Sequence, residues 1–357
     1  MEQLDRQDLT ASPSIWQSGW FNTLSRFAAL IAIFVFFTAL IGEDFYSDMN
    51  LENIARQSAV YATAGVGMTF VIISAGIDLS VGSVIALALV MVAYVLNLHT
   101  TTVTDGKETV AYLIKDYPTL VPILAVLAAV LAATLAGAIN GLLIVGLRLV
   151  PFIVTLGTMM IFRGAAKGVA EEKYITPVAD TWVDTIMDPT LVSPDPARNW
   201  LILPPGVWIM VVSAIVAALL LRYTRLGRHI FAVGSNQETA RLCGVHVGRT
   251  KVVVYMLAGF FAGLAGLMQF SYGGGIGEPT AAISYELYVI AAVVIGGGSF
   301  LGGEGSVLGT VIGAFIIAIL YMGGQQMDWP KFVQEIVIGS IIIIAVALDR
   351  LRHSKTG

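Results

Sequence analysis

Five charged residues fall in or beside long apolar runs of this sequence: Asp78, Arg163, Lys167, Glu286 and Glu304. A charge in hydrocarbon is costly, and it is kept where it lines a pathway, pairs with another charge or closes a helix end. Two readings stand for Asp78. Its carboxylate caps a helix that begins near Ser80, at the positive end of the macrodipole, or it lines a pathway or gate. Arg163, four residues before Lys167, either pairs with a buried carboxylate or snorkels outward. Ser74, Asn140, Thr155 and Gln269 are able to touch a hydroxylated solute, although such residues also serve as glue between helices. Covalent and metal chemistry find no support. His99, His229, His246 and His353 lie far apart, so no metal cluster, catalytic dyad or cofactor is expected. The phosphate loop GxxxxGK[ST] is absent, since the one Gly-Lys pair, Gly106-Lys107, precedes Glu108. The sequence thus points away from an enzyme and from ATP hydrolysis by this chain through such a loop.

The elements that must position these residues are membrane helices. Of 357 residues 57% are hydrophobic and 12% charged, with mean hydropathy +0.81, against about 25% charged in soluble domains. The expected fold class is an all-α polytopic membrane protein of about ten transmembrane helices. The spans are placed at 24–42, 53–74, 80–97, 119–146, 152–170, 205–222, 251–272, 285–298, 306–322 and 331–348. The net charge of -4 does not suggest nucleic acid, because the charges separate by side of the membrane. Cys243, the single cysteine, is read as a reduced thiol.

Charge segregation sets the topology. Residues 222–251 carry Arg222, Arg225, Arg228, Arg241, Arg249 and Lys251 against Glu238, which places this loop in the cytoplasm. The breaks at 43–52 and 171–204 are acidic and are placed outside, with 98–118. Both termini are then cytoplasmic, and Arg350, Arg352 and Lys355 in the tail agree. No cleaved signal peptide is expected from MEQLDRQDLT. Residues 1–23 form a cytoplasmic segment, in which Trp16 and Trp20 mark either an interfacial helix or a polar tail. Residues 24–348 form the transmembrane domain, and 349–357 the tail.

Two Gly-rich interruptions recur. VIISAGIDLSVGSVIALALV from Val71 and VVIGGGSFLGGEGSVLGTVIGAF from Val293 both run from an apolar segment through glycines into Gly-Ser-Val and a new helix. Gly82 and Gly305 are 223 residues apart, which predicts two related halves in parallel orientation. Breaks at matching places in two halves point to a transport pathway. The candidate pathway or gate residues are Ser74, Gly76, Asp78, Ser80, Gly82, Asn140, Thr155, Gly297 and Gly305. Glycine permits the positive φ and close approach a break demands, while Ser80, Ser83 or Ser306 can cap the helix that follows. Ordinary interfacial helix caps explain each break singly. In the cytoplasmic loop, residues 236–243 form a short helix capped by Ser235 or Asn236 and ended by Gly244, with Ala240 and Cys243 on a small-residue face.

SAGIDLSVGS, VPFIVTLGTMMIFRG, VGSNQETARLCGV and YELYVIAAVVIGGGSFLGGEGSVLGTVIGA together resemble the permease subunits of bacterial ABC importers for monosaccharides of the ribose, xylose and galactose type. The resemblance runs from about residue 25 to 350. It implies a homodimer in the inner membrane, a separate cytoplasmic ABC ATPase subunit and a periplasmic sugar-binding protein. Residues Gly234 to Gly244 correspond to the family's coupling helix, so Gly234, Ser235, Asn236, Glu238, Ala240, Arg241 and Gly244 are the candidate ATPase contacts. The loops 98–118 and 171–204 look long for the family. The competing function is a secondary transporter of a small polar solute coupled to H⁺ or Na⁺, which usually buries several ionisable groups at the midplane. A membrane-embedded enzyme is a third class, disfavoured by the lack of clustered His, Asp or Glu.

Overall fold

On the helix that follows the loop 98–118, small side chains face inward and large ones outward. Helix α5 (Leu120–Gly146) buries Ala125, Ala129, Ala133, Gly137 and Gly141, spaced by four, and exposes Leu124, Leu127, Leu131 and Leu135. This is the pattern of a helix that packs closely on one side and meets lipid on the other. The computed structural model describes residues 19–104, 107–191 and 201–354. The polar stretch with Trp16, the loop around Ser193 and Lys355 lie outside the described residues, and for Arg350 and Arg352 only the backbone is described.

The remaining helices are α1 (Gly19–Ile41), α2 (Asp48–Ile73), α3 (Val81–Leu96), α4 (Leu113–Asp116), α6 (Pro151–Val169) and α7 (Pro205–Tyr223). They continue with α8 (Arg225–Ser235), α9 (Gln237–Leu242), α10 (Val247–Tyr272), α11 (Tyr285–Ile295), α12 (Val307–Gln326) and α13 (Lys331–Ser354). A helix lies in each of the ten expected spans. Among the described residues, six helices are long and apolar enough to cross a membrane: α1 from Thr23, α5, α6, α7, α10 and α12. Helices α3 and α11 are shorter apolar helices. Proline at the first turn starts both α6 and α7, where its missing N–H costs nothing.

The core is built around α2, where every residue from Gln57 to Ile73 is buried. It packs against α10, α12, α11 and α7, and α10 packs most extensively on α5. Among the described residues two strands stand apart from the helices. In the loop 98–118, strands β1 (His99–Thr104) and β2 (Lys107–Tyr112) pair antiparallel, in register from His99 opposite Tyr112 to Thr104 opposite Lys107. The Thr-rich run and the Asp105-Gly106 dipeptide are hairpin signals that a reading for apolar spans passes over.

The two halves read from the sequence are unequal. Shifting α2 by 223 positions in sequence brings its inner part to α11, while positions 50–61 fall on 273–284, which holds no helix. Gly273, Gly274, Gly275, Gly277 and Pro279 account for the loss, since these residues disfavour helix by about 1 kcal/mol each for Gly and 3 for Pro. The second copy therefore enters as an irregular strand of chain and becomes helical only at Tyr285.

Candidate functional site: a seam of two helix breaks and a short exposed helix

Both breaks begin with the same terminating turn. At the end of α2, Ala75 takes φ 58°, its N–H donates to the Ile72 carbonyl and the Gly76 N–H to the Val71 carbonyl, each at 2.9 Å. At the end of α11, Gly297 takes φ 85°, and Gly297 and Gly298 donate to the Val294 and Val293 carbonyls at 2.8 Å. This left-handed cap is ordinary, and α6, α9 and α10 end the same way. Positive φ therefore falls on Ala75, Gly297, Gly302 and Gly303, and not on Gly76, Gly82 or Gly305. Those three are needed for closeness. A Cβ on Gly76 would lie 2.8 Å from the Tyr255 hydroxyl, one on Gly82 would strike the Glu286 carboxylate, and one on Gly305 would lie 2.6 Å from Ile73.

What sets these turns apart is what they touch. The Gly303 N–H donates to the Ile73 carbonyl at 2.8 Å, which joins the two breaks directly. Gly234, in the last turn of α8, lies on that bond: a Cβ there would strike the Ile73 carbonyl oxygen and sit 2.6 Å from the Gly303 nitrogen. A Cβ on Gly302 would in turn lie 2.6 Å from the Gly234 carbonyl. Three backbone segments thus meet at van der Waals distance, with glycine on two of them.

The first break is largely buried and is closed by side-chain hydrogen bonds. Asp78 Oδ1 accepts from the Ser80 N–H at 2.8 Å and from the Ser80 hydroxyl at 2.6 Å, closing the turn ahead of α3. Asn140 of α5 donates its amide to Ser80 Oγ at 2.8 Å. The Ile77 carbonyl accepts from the Tyr255 hydroxyl at 3.2 Å and faces the Thr155 hydroxyl at 3.3 Å. The Ser80 N–H and the Ile77 carbonyl, freed by the break, thus find partners inside the protein, as a bilayer favours. Ser80 and Ser83 do not cap α3 with their hydroxyls: Ser80 donates to Asp78, and Ser83 to the Ser80 carbonyl at 2.7 Å. Ser306 does cap α12, accepting from the Gly309 N–H at 3.4 Å. Ser74 donates to the Val71 carbonyl of its own helix. The first break gathers Asp78, Ser80, Asn140 and Thr155 around one turn, Gly305 packs on Ile73 beside the seam, Gly82 faces the start of α11 and Gly297 faces Arg26 of α1.

Beyond the seam the chain emerges as α9. The Asn236 side chain, not Ser235, accepts from the Thr239 N–H at 2.9 Å and starts the helix, and Gly244 at φ 83° ends it. Its exposed face carries Glu238, Arg241 and Leu242, with Arg241 3.2 Å from the Glu238 carboxylate. Ala240 corrects the expected small-residue docking face. It is buried against Val233 and Val247 and faces its own protein, whereas Leu242 is 88% exposed.

The family model described as "Branched-chain amino acid transport system / permease component" matches residues 50–346. The chain belongs to this permease family. A ribose import permease protein of Haemophilus influenzae is 36% identical to it over 342 residues, covering 96% of this permease and 98% of the relative. A xylose transport system permease protein of the same organism is 31% identical, covering 92% and 96%. A galactose/methyl galactoside import permease protein, also from that organism, is 31% identical, covering 94% and 97%. No solved structure matches it.

On the face of the permease opposite the seam, the loop that follows α6 is stitched down. Glu52 in the first turn of α2, 1% exposed, accepts from the Thr190 N–H and hydroxyl and from the Leu191 N–H. Ser271 donates to the Asp184 carbonyl at 2.5 Å and accepts from the Met187 N–H at 2.8 Å. Ile175 and Gly277 exchange backbone bonds of 3.0 and 2.8 Å. Burial pushes the Asp184 carboxyl up, against hydrogen bonds from Thr181 that lower it. The role of Glu52 has no sequence signal, because nothing in the chain marks Thr190 as its partner. Arg163 forms no close ion pair among the described residues, although the Glu286 carboxylate stands near enough to act on it. Its guanidinium donates to the carbonyls of Pro279, Ala281 and Ala282 at 3.1, 2.6 and 3.5 Å, holding the irregular segment 273–284.

Proposed function

We propose that this permease is the membrane subunit of an ATP-driven ABC importer that carries a monosaccharide, a pentose or hexose, across the bacterial inner membrane. The relatives named for ribose, xylose and galactose support the substrate class. It works as a homodimer with a separate cytoplasmic ABC ATPase subunit, and a periplasmic sugar-binding protein delivers the solute. The observation that carries the reading is the seam: α8 ends on the bond between the two breaks, and α9 projects from it with Leu242 exposed. A push on α9 by the ATPase would move the ends of α2 and α11 together, because closely packed backbones transmit displacement. The docked loop 171–191 offers the binding protein a firm outer platform. Residues 234–244 form the coupling element, and the break residues act as the hinge of the gate.

In this scheme Leu242 enters a cleft on the ATPase. The Leu242→Asp variant should insert and dimerise normally yet lose sugar uptake by about thirty-fold or more, the scale of a buried interface anchor. Uptake by the variant reconstituted with its ATPase and binding protein, with co-purification as the assembly readout, measures this. Wild-type uptake and assembly would remove α9 from the docking role.

The scheme also has ten crossings, domain limits of 24–348, and both termini with 222–251 in the cytoplasm, as charge segregation indicates. Cys243 is the single cysteine and is exposed, so it serves as a native reporter. An impermeant thiol reagent should reach it only from the cytoplasmic side. A cysteine at exposed Lys173, in a Cys243→Ser background, should react only from outside. Reaction of both from one side refutes the topology.

A further inference from the structure

Beside α9, with Gln237, Arg241 and Gly244 of the coupling element in one wall, lies a cavity of about 770 Å³. It is enclosed by the end of α5, the turn into α6, α9 and the first turns of α10. Arg148, Arg241, His246 and Lys251 line it, with Gln237, and no carboxylate does. Arg241 is engaged by Glu238, whereas Arg148 and Lys251 make no hydrogen bond or ion pair among the described residues. The start of α10, a helix of 26 residues, adds the positive end of its dipole. Two free cations, an imidazole and a helix start therefore converge on one open space. The rim on the α5–α6 side is apolar: Leu147, Leu149 and Val150 are exposed beside Arg148.

We propose that this cavity binds the headgroup of an anionic phospholipid of the cytoplasmic leaflet. The phosphate would sit between Arg148 and Lys251 at the start of α10, and the acyl chains would leave over Leu147, Leu149 and Val150. Basic pockets between helices on the cytoplasmic side suit such headgroups, and the negative leaflet supplies them at high local concentration. The apolar rim separates lipid from free phosphate, which has no use for it. The cavity also exceeds what inorganic phosphate fills. Because α9 forms one wall, the lipid would brace the docking helix against the membrane. The inference rests on the cytoplasmic placement of 222–251, which Cys243 labelling tests independently.

Native mass spectrometry of the purified full chain, titrated with phosphatidylglycerol, phosphatidylethanolamine or inorganic phosphate, tests the site. Wild type should retain phosphatidylglycerol in preference to phosphatidylethanolamine. Arg148→Gln with Lys251→Gln should weaken that retention about thirty-fold, the effect of two lost charges near an anionic surface. Arg148→Lys with Lys251→Arg keeps the charge and should keep binding, which separates charge loss from misfolding. Arg225→Gln, in the same loop but off the cavity, should change nothing. Equal retention by the Gln pair, or equal binding of phosphatidylethanolamine, overturns the proposal. Competition by millimolar inorganic phosphate would make the cavity a free-anion site and overturn it as well. Loss of the lipid when the ATPase subunit binds would assign the cavity to the protein partner instead.

Discussion

A Gly234→Val variant should lose essentially all uptake, by about a hundred-fold or more, while still reaching the membrane. The first added carbon would strike the Ile73 carbonyl and crowd the Gly303 nitrogen, so α8 cannot keep its place without parting the two breaks. Overpacking of this kind costs about 1–3 kcal/mol, and here it falls on backbone, which has no rotamer to yield. If the seam carries force, ATP hydrolysis by the assembled complex should continue without sugar stimulation, since the ATPase still docks on α9. Gly157→Val in α6 is the control, because a side chain there meets nothing within 4 Å. Uptake assays in liposomes with matched hydrolysis rates give the answer. Normal stimulated uptake in Gly234→Val would mean that the seam is packing without consequence for transport.

The largest effect on stability is expected at the crossing of α5 and α10. A Cβ on Gly137 would strike the Tyr255 carbonyl, and one on Gly259 the Ala133 carbonyl, so the backbones touch through two glycines. Close approach of small residues is the main source of helix association in lipid, where burial of apolar surface gains nothing. Gly137→Leu should therefore cost about 3 kcal/mol or more, enough to unfold a marginal protein. Leu131→Ala, on the lipid face of the same helix, should stay within about 0.5 kcal/mol. Thermal unfolding followed by gel filtration in detergent compares them. A Gly137→Leu protein that elutes and melts like wild type would contradict this account of the crossing.

Much of the architecture was legible because a bilayer imposes a simple rule. A helix that meets lipid must be apolar over about 20 residues, so the runs at 119–146, 152–170 and 205–222 announce α5, α6 and α7 almost to the residue. Asn236 with Gly244 announced the ends of α9, because caps and left-handed stops are local devices. Local signals did not say which way α9 faces. Six residues are too few for a periodicity to separate faces, so Ala240 looked like a docking residue, whereas packing on Val233 and Val247 turned it inward and Leu242 outward. The hairpin at 99–112 and the unwound segment 273–284 carried turn and Gly/Pro signals that the search for apolar spans absorbed.

The sequence by itself determined that this chain lives in a membrane, which loop is basic and where its helices break. Only the tertiary structure decided what the breaks touch. Ile73, Gly234 and Gly303 lie 161 and 69 residues apart, and their contact is made by carbonyls, amides and bare Cα atoms. Arg163 likewise makes its hydrogen bonds with backbone carbonyls. Every residue carries those backbone groups, so residue type gives no sign of which partner they meet. A glycine records only that something comes close, and what comes close is settled when the helices pack.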